Sequence, residues 1–321
     1  MKKKIMYFTL LIVSLIILFF VAINLGSIKV TFFELFKGLF IEYNEKVSII
    51  YDLRFPRIII AMFAGAALSV SGVLFQAVMK NPLADPGIIG ISSGASLAAL
   101  IVISFFPSIY FLSPIFAFIG GIIAFILVYC FSWNKGLNPL RLILTGIAVN
   151  AIFQGIIDAY ESIISNNIIN NSISMKTWSD VHLLVWYVII GLILAFLLSE
   201  KCNLLLLEDK TVRSLGVNVH VLRIIISFIA VFLAAIATAT VGVISFIALI
   251  VPHIARLIIG SDYKLLIPFS CILGAFTLLF ADTIGRSIFA PYEVPASIIM
   301  AIIGGPFLII LLRRSTRSYG N

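Results

Sequence analysis

The run "IMYFTLLIVSLIILFFVAINLG", residues 5–26, carries no charge and does not alternate polar with apolar residues. Hydrocarbon offers backbone amides no partners, so a chain that crosses it must form helices or a closed barrel. Barrel strands alternate in polarity. Continuous runs of this kind therefore predict helices. The whole chain bears the reading out: 62% of its 321 residues are hydrophobic and only 11% charged, with a mean hydropathy of +1.18. A soluble domain has about a quarter charged residues. The expected fold class is all-α, a polytopic membrane bundle in contact with lipid.

At roughly 20 apolar residues per crossing, the sequence divides into about ten spans, near 5–26, 57–79, 87–106, 113–132, 141–160, 182–199, 221–240, 243–259, 265–286 and 296–312. Lys2, Lys3 and Lys4 before the first run resemble the start of a secretory signal, but the run is too long and lacks a small-residue cleavage site, so it is read as a retained helix. No low-complexity linker divides the chain, which predicts one bundle domain over residues 1–321.

An even span number puts both termini on one side. With that side cytoplasmic, fifteen of the 22 Lys and Arg residues fall inside and seven outside, as the positive-inside rule expects. The net charge of +8 thus reports topology and needs no nucleic-acid partner. Cys130, Cys202 and Cys271 are odd in number and lack metal-ligand spacing, so free thiols are expected.

The spans are nearly empty of the ionisable groups on which ion-coupled carriers rely. Asp158, Glu161, Asp282 and Arg286 all fall near predicted outer ends, and Asp282 and Arg286 have the four-residue spacing of a local ion pair. His182, His220 and His253 are scattered and none stands in an HExxH motif. Glu208 and Asp209 form the adjacent acidic pair of "LED", beside Lys210 and Arg213, and read as a solvated or docking surface. No GxxxxGK[ST] phosphate loop is present. No catalytic, metal or cofactor residue is expected, so uphill movement requires energy from another subunit.

Between the second and third runs lies "NPLADPGIIGISSGAS", residues 81–96. Asp85 before Pro86 is a good helix start, and Gly90 and Gly94 have the spacing of a close helix contact. With its flanks, "LRFPRIIIAMFAGAALSVSGVLFQAVMKNPLADPGIIGISSGA" (53–95) resembles the first signature of the FecCD family of iron-chelate and cobalamin ABC importer permeases. "RSLGVNV" (213–219), "LIVPHIARLIIGSDYKLLIPFSCILGAFTLLFADTIGR" (249–286) and "EVPASIIMAIIGGPFLIILL" (293–312) are similar to its coupling segment, second signature and closing segment.

The resemblance implies a ten-helix permease in the cell membrane, paired with a second permease subunit as a homodimer, two separate ABC ATPase subunits inside, and an extracellular or periplasmic substrate-binding protein outside. It places Arg54, Arg57 and Arg286 at the binding-protein docking rim. It places Glu208, Thr211, Arg213, Ser214, Leu215 and Gly216 against the ATPase, and Asn81 and Leu83 at the inner mouth of the pathway, with Asn138, Pro139 and Leu140 as further gate candidates. Pro252 and His253 are expected to shape a helix end at the inner face.

Departures include Ser245, Ala248 and Ser297 where the family commonly has glycine. "SMKTWSDVHLL" (174–184) and "EVPASIIM" look most like the haem permeases of Gram-positive iron-regulated surface-determinant systems. Haem is therefore the leading cargo, with ferric siderophore and cobalamin as alternatives and an ion-coupled carrier as the alternative from another class. Tyr160, Met175 and His182 are weak candidates for transient iron contact.

Overall fold

The computed structural model describes residues 2–25, 29–132, 139–164, 173, 176–289 and 292–318, with backbone alone for 139, 140, 164 and 312–318. Every regular element among them is helical: α1 (Lys2–Asn24), α2 (Phe32–Phe40), α3 (Glu45–Leu53), α4 (Phe55–Met79), α5 (Ile91–Phe105), α6 (Ser113–Ser132), α7 (Pro139–Ile164), α8 (Trp178–Leu197), α9 (Ser199–Leu204), α10 (Asp209–Ser214), α11 (Val219–Val241), α12 (Ile247–Ile259), α13 (Tyr263–Ile288) and α14 (Ala296–Ser318). A 3-10 turn, Pro107–Leu112, precedes α6. Seven helical stretches are long and apolar enough to cross a membrane, and three shorter apolar helices, within α5, α12 and α14, bring the number to the ten expected.

Two of those three are shorter than hydropathy suggests because the backbone breaks inside the apolar run. Residues 86–90 form turns before α5, and Gly90 takes φ +84 at its N-cap, a left-handed geometry that disfavours a side chain. Residues 242–246 leave the helical path before α12 begins. Non-helical backbone at such depth is tolerated where protein encloses it. Hydropathy windows do not register these breaks.

The helix α4 is the centre. Its spanning window is 83% buried against 17% for α1, which leaves most of α1 facing outward. Around α4 pack α13, α11, α8 and α12, while α5, α6 and α7 form a second group joined through α11. Small residues make these crossings close. A Cβ on Gly65 would lie 2.2 Å from the Gly274 carbonyl oxygen, and one on Gly120 would lie 2.3 Å from that of Gly94. Gly94 thus makes the helix contact expected from sequence, on α6, and Gly90, besides serving the turn, lies close to α7, where a Cβ would come 3.1 Å from the Asn150 amide nitrogen.

The contact of α4 with α12 joins three residues in one piece of chemistry. Pro252 lies in the middle of α12 and not at its end, and lacks the N–H that would bond to the Ala248 carbonyl. Gln76 Nε2 donates to that freed carbonyl at 3.4 Å, and Arg256 Nη2 donates to Gln76 Oε1 at 3.0 Å. Gly72 lets the two backbones approach, since a Cβ there would lie 1.9 Å from the same oxygen. His253, next to Pro252, stands edge-to-face with Phe307, their ring centroids 5.8 Å apart.

The helices α2 and α3 were not expected. The segment between the first two spans folds into α2 and α3, and both starts are capped. Thr31 and Glu34 make a reciprocal capping box, and Asn44 Oδ1 accepts the amides of Lys46 and Val47. The T-x-x-E spacing was available as a signal.

Gly72→Val drives methyl groups into the α12 backbone, and overpacking of this kind costs about 1–3 kcal/mol or more. The variant is expected to lose its sharp size-exclusion peak in detergent and to melt earlier than the parent. Gly305→Ala, where no atom beyond its own stretch of helix lies within 4 Å of the added carbon, is expected to melt as the parent does.

Candidate docking surfaces and gate

The antiparallel course of α4 and α13 brings the start of one to the end of the other, and there the charges meet. Arg57 lays its Nε and Nη2 on the carboxylate of Asp282 at 2.9–3.1 Å, and its Nη1 on Glu293 at 2.8 and 3.0 Å. Arg and carboxylate suit such two-pronged bonding. Asp282 is 2% exposed in its side chain and Arg57 12%, so the pair is shielded from solvent. Arg286 Nε lies 4.0 Å from the same carboxylate, so the expected local pair is present but secondary.

The other two arginines expected at a docking rim turn toward α1. Arg54 Nη1 donates to the Ile23 carbonyl and Arg286 Nη2 to the Ala22 carbonyl. These carbonyls belong to the last turn of α1, where no intrahelical donor follows and cations are favoured. Arg54 and Arg286 therefore fasten α1 to the α4–α13 core.

At the opposite end, "LLLLEDKTVRSLGVN" begins with the last residue of α9, passes through turns and then forms α10. Val212 is buried and anchors it, while Glu208, Thr211, Arg213, Ser214, Leu215 and Gly216 are all exposed. The helix ends at a glycine: Gly216 takes φ +77, its N–H donates to the Arg213 carbonyl, and the Val217 N–H donates to that of Val212. That pair of bonds is a Schellman ending. The six residues lie on one small, mostly polar protrusion.

Beside it runs the loop from Lys80 to Gly90. Two side chains shape its backbone: Asn81 Oδ1 accepts the Leu83 amide at 2.9 Å, and Asp85 Oδ1 accepts those of Gly87 at 2.7 Å and Ile88 at 3.2 Å. Asp85 thus caps a turn ahead of α5, whose first helical residue is Ile91. Its second oxygen is buried with no hydrogen-bond partner among the described residues. Burial pushes the carboxyl up to about 6, against the pull of its two amide bonds.

A cavity of about 700 Å³ opens under this loop, lined by Asn81, Leu83 and Asp85, by Phe125 and Tyr129 of α6, by Leu142 of α7, and by Arg223 of α11. Two of the predicted gate residues, Asn81 and Leu83, are therefore brought together. Pro139 and Leu140 begin α7, whose next turn lines the cavity, and Asn138 lies outside the described residues.

A family model for the FecCD transport family matches residues 14–314. The chain belongs to the FecCD transport family. It is 42% identical over 319 residues, covering 99% of this chain and 98% of the relative, to a protein of Staphylococcus aureus strain Newman named as a probable heme-iron transport system permease protein, IsdF. The protein of the same name in strain MW2 matches equally well in identity and coverage. A solved structure described as an inward-facing metal-chelate type ABC transporter superposes with a TM-score of 0.79 at 27% identity, over 95% of this chain and 97% of that one. PsaBC of Streptococcus pneumoniae, in complex with Fab, shares the fold at a TM-score of 0.57 and 16% identity, over 87% and 95% of the two chains.

Within this FecCD permease, some of the most telling contacts were not visible in the sequence. Asp209 bonds to Lys80 Nζ at 3.0 Å and Arg223 Nη2 at 2.9 Å, not to its neighbours Lys210 and Arg213. Gln76 and Arg256 also went unrecognised; a lone amide within an apolar span was the signal. Tyr160 packs near Phe105 and His182 near Trp178, each in an aromatic contact, and Met175 lies outside the described residues. Among the described residues no group of three or more His, Cys, Asp or Glu side chains is placed to hold a metal.

The environment of Asp85 gives a pH dependence with a definite sign. Between its ordinary value of 3.8 and about 6, the folded chain holds a proton that the unfolded chain has released. Stability therefore falls as pH rises across that window and levels off above it, by roughly 3 kcal/mol in total at 1.36 kcal/mol per unit. Asp85→Asn keeps an oxygen for the two amides, and its thermal midpoint in detergent is expected to lose that slope between pH 4.5 and pH 7.

Proposed function

We propose that this chain is the membrane-spanning permease subunit of an ATP-driven importer for iron complexes, and that its cargo is haem. The observation that carries this reading is the 42% identity, from end to end, with a relative named for heme-iron transport. The superposition on a metal-chelate type ABC transporter supports it independently.

In this reading residues 1–321 form one permease unit, two copies of which enclose the pathway as a homodimer. Both termini face the cytoplasm, on the side of Lys80 and α10. The exposed residues Glu208, Thr211, Arg213, Ser214, Leu215 and Gly216 seat in separate ATPase subunits that hydrolyse ATP. Asn81 and Leu83, with Asn138, Pro139 and Leu140, close the inner mouth. Arg54, Arg57 and Arg286 meet acidic residues of a substrate-binding protein on the outer face. Their inward bonds give that docking a physical form: an incoming carboxylate competes with the half-exposed Glu293 for Arg57, while Asp282 stays in place. Charges at such a rim steer and orient a partner more than they add affinity.

Purified chain, reconstituted with its ATPase and binding-protein partners in sealed vesicles, is expected to accumulate haem when ATP is supplied. Accumulation of ferric siderophore or cobalamin in its place reassigns the cargo. Uptake by the permease alone under a proton or sodium gradient overturns the reading.

A second measurement addresses the rim. Replacing Arg54, Arg57 and Arg286 by Ala, with Asp282→Asn so that no buried carboxylate is stranded, is expected to weaken binding-protein docking about tenfold or more at low salt. Unchanged docking by a correctly inserted variant sinks the assignment.

A further inference from the structure

One ion-pair joint connects the protrusion at α10 with the loop that carries Asn81 and Leu83. Asp209 is the first residue of α10. Its Oδ1 accepts from Lys80 Nζ at 3.0 Å and from Arg223 Nη2 at 2.9 Å, and Lys80 Nζ also donates to the Leu207 carbonyl at 2.6 Å. One carboxylate thereby ties together the end of α4, the start of α10 and the first turns of α11.

The backbone at Lys80 is unusual. It takes φ +48, and it is one of two non-glycine residues with positive φ among those described. The helix ends there as α10 does, with the Lys80 N–H on the Ala77 carbonyl and the Asn81 N–H on that of Gln76. Glycine fills the equivalent place in α10, at Gly216. A lysine held where glycine is favoured indicates a side chain with a task. Here the side chain reaches across to α10.

The surroundings say what the task is. The 80–90 loop is tethered to α10 through Lys80, and the joint of Lys80, Asp209 and Arg223 lines, together with the loop, the cavity of about 700 Å³. Close-packed interiors resist displacement, so a loop next to an open volume is the part that can move. We propose that Asp209 is the transmission residue of this permease: it converts displacement of α10 into movement of the Asn81–Leu83 loop by way of Lys80, with Arg223 holding the carboxylate in register. This rests on the ATPase-facing role of α10 proposed above and adds the route by which force leaves that helix.

The test uses the complete complex in vesicles, with ATP hydrolysis and haem uptake measured on the same preparation. For Asp209→Asn, uptake per ATP hydrolysed is expected to fall about fivefold or more, while hydrolysis stays within about twofold of the parent. Crosslinking of Ser214→Cys to the ATPase is expected to be unchanged. Lys80→Gln is expected to behave alike, the double variant to be no worse than Asp209→Asn alone, and Lys80→Arg to keep normal coupling. Should Asp209→Asn fail to insert, Lys80→Gln decides by the same criterion.

Uptake per ATP within about twofold of the parent overturns the proposal. So does a parallel loss of hydrolysis and crosslinking, which places Asp209 in docking. Lack of ATP-driven uptake by the unsubstituted complex is a different failure, since it removes the permease reading itself.

Discussion

Close approach of backbones around α4 is the constraint on which the rest of the structure depends. Lipid tails are as apolar as leucine, so helices in a bilayer gain little by hiding leucine from them. Association rests instead on packing and on polar groups that find partners. The crossing of α4 and α13 meets both needs at one place: Gly65 and Gly274 admit each other's backbone, and Ser69 Oγ donates to the Ser270 carbonyl at 2.8 Å. Ser71 does the same toward α11, donating to the Ala230 carbonyl at 2.7 Å. The crossing with α12 adds Gly72, Gln76 and the carbonyl left free by Pro252. One face after another of α4 is thus committed, and the helix has little freedom except at its ends.

Those ends carry the chemistry. At one, Arg57, Asp282 and Glu293 close the α4–α13 pair, and Arg54 and Arg286 hold the last turn of α1 against it. At the other, α4 stops at Lys80 and hands the chain to a loop shaped by Asn81 and Asp85. A rigid centre with charged, jointed ends suits a conduit that is worked from outside itself. A carrier that binds a coupling ion needs the reverse, with its ionisable groups at mid-depth.

The parts legible in the sequence were those set by local composition. Apolar runs located ten spans, and the string around residues 81–96 marked the segment that lines the cavity. The misses have physical causes. Hydropathy sums over a window and passes over a break such as residues 242–246 or 86–90, which carry no charge to lower the sum. It also averaged away α2 and α3, although Thr31 with Glu34 and Asn44 signalled their starts. Partners remote in sequence were out of reach altogether: 225 positions separate Arg57 from Asp282, and 129 separate Lys80 from Asp209. For the same reason Asp282 was matched with Arg286, which lies one helical turn away but makes the weaker contact.

One departure from the family pattern becomes intelligible in the same terms. Ala248 replaces a common glycine at a close crossing, and the added methyl would be expected to push α12 away from α4. The distance is kept because the tight contact is made by the Ala248 carbonyl and not its side chain, and the missing volume is supplied from the other helix by Gly72. A glycine on either side of such a crossing is sufficient, provided the polar atom brought inward has a donor. Gln76 is that donor, and its own oxygen is satisfied by Arg256. What the crossing requires is therefore a set of three matched features spread over two helices: a gap, a freed carbonyl and an amide to meet it. A substitution at any one of them has to be judged with the other two.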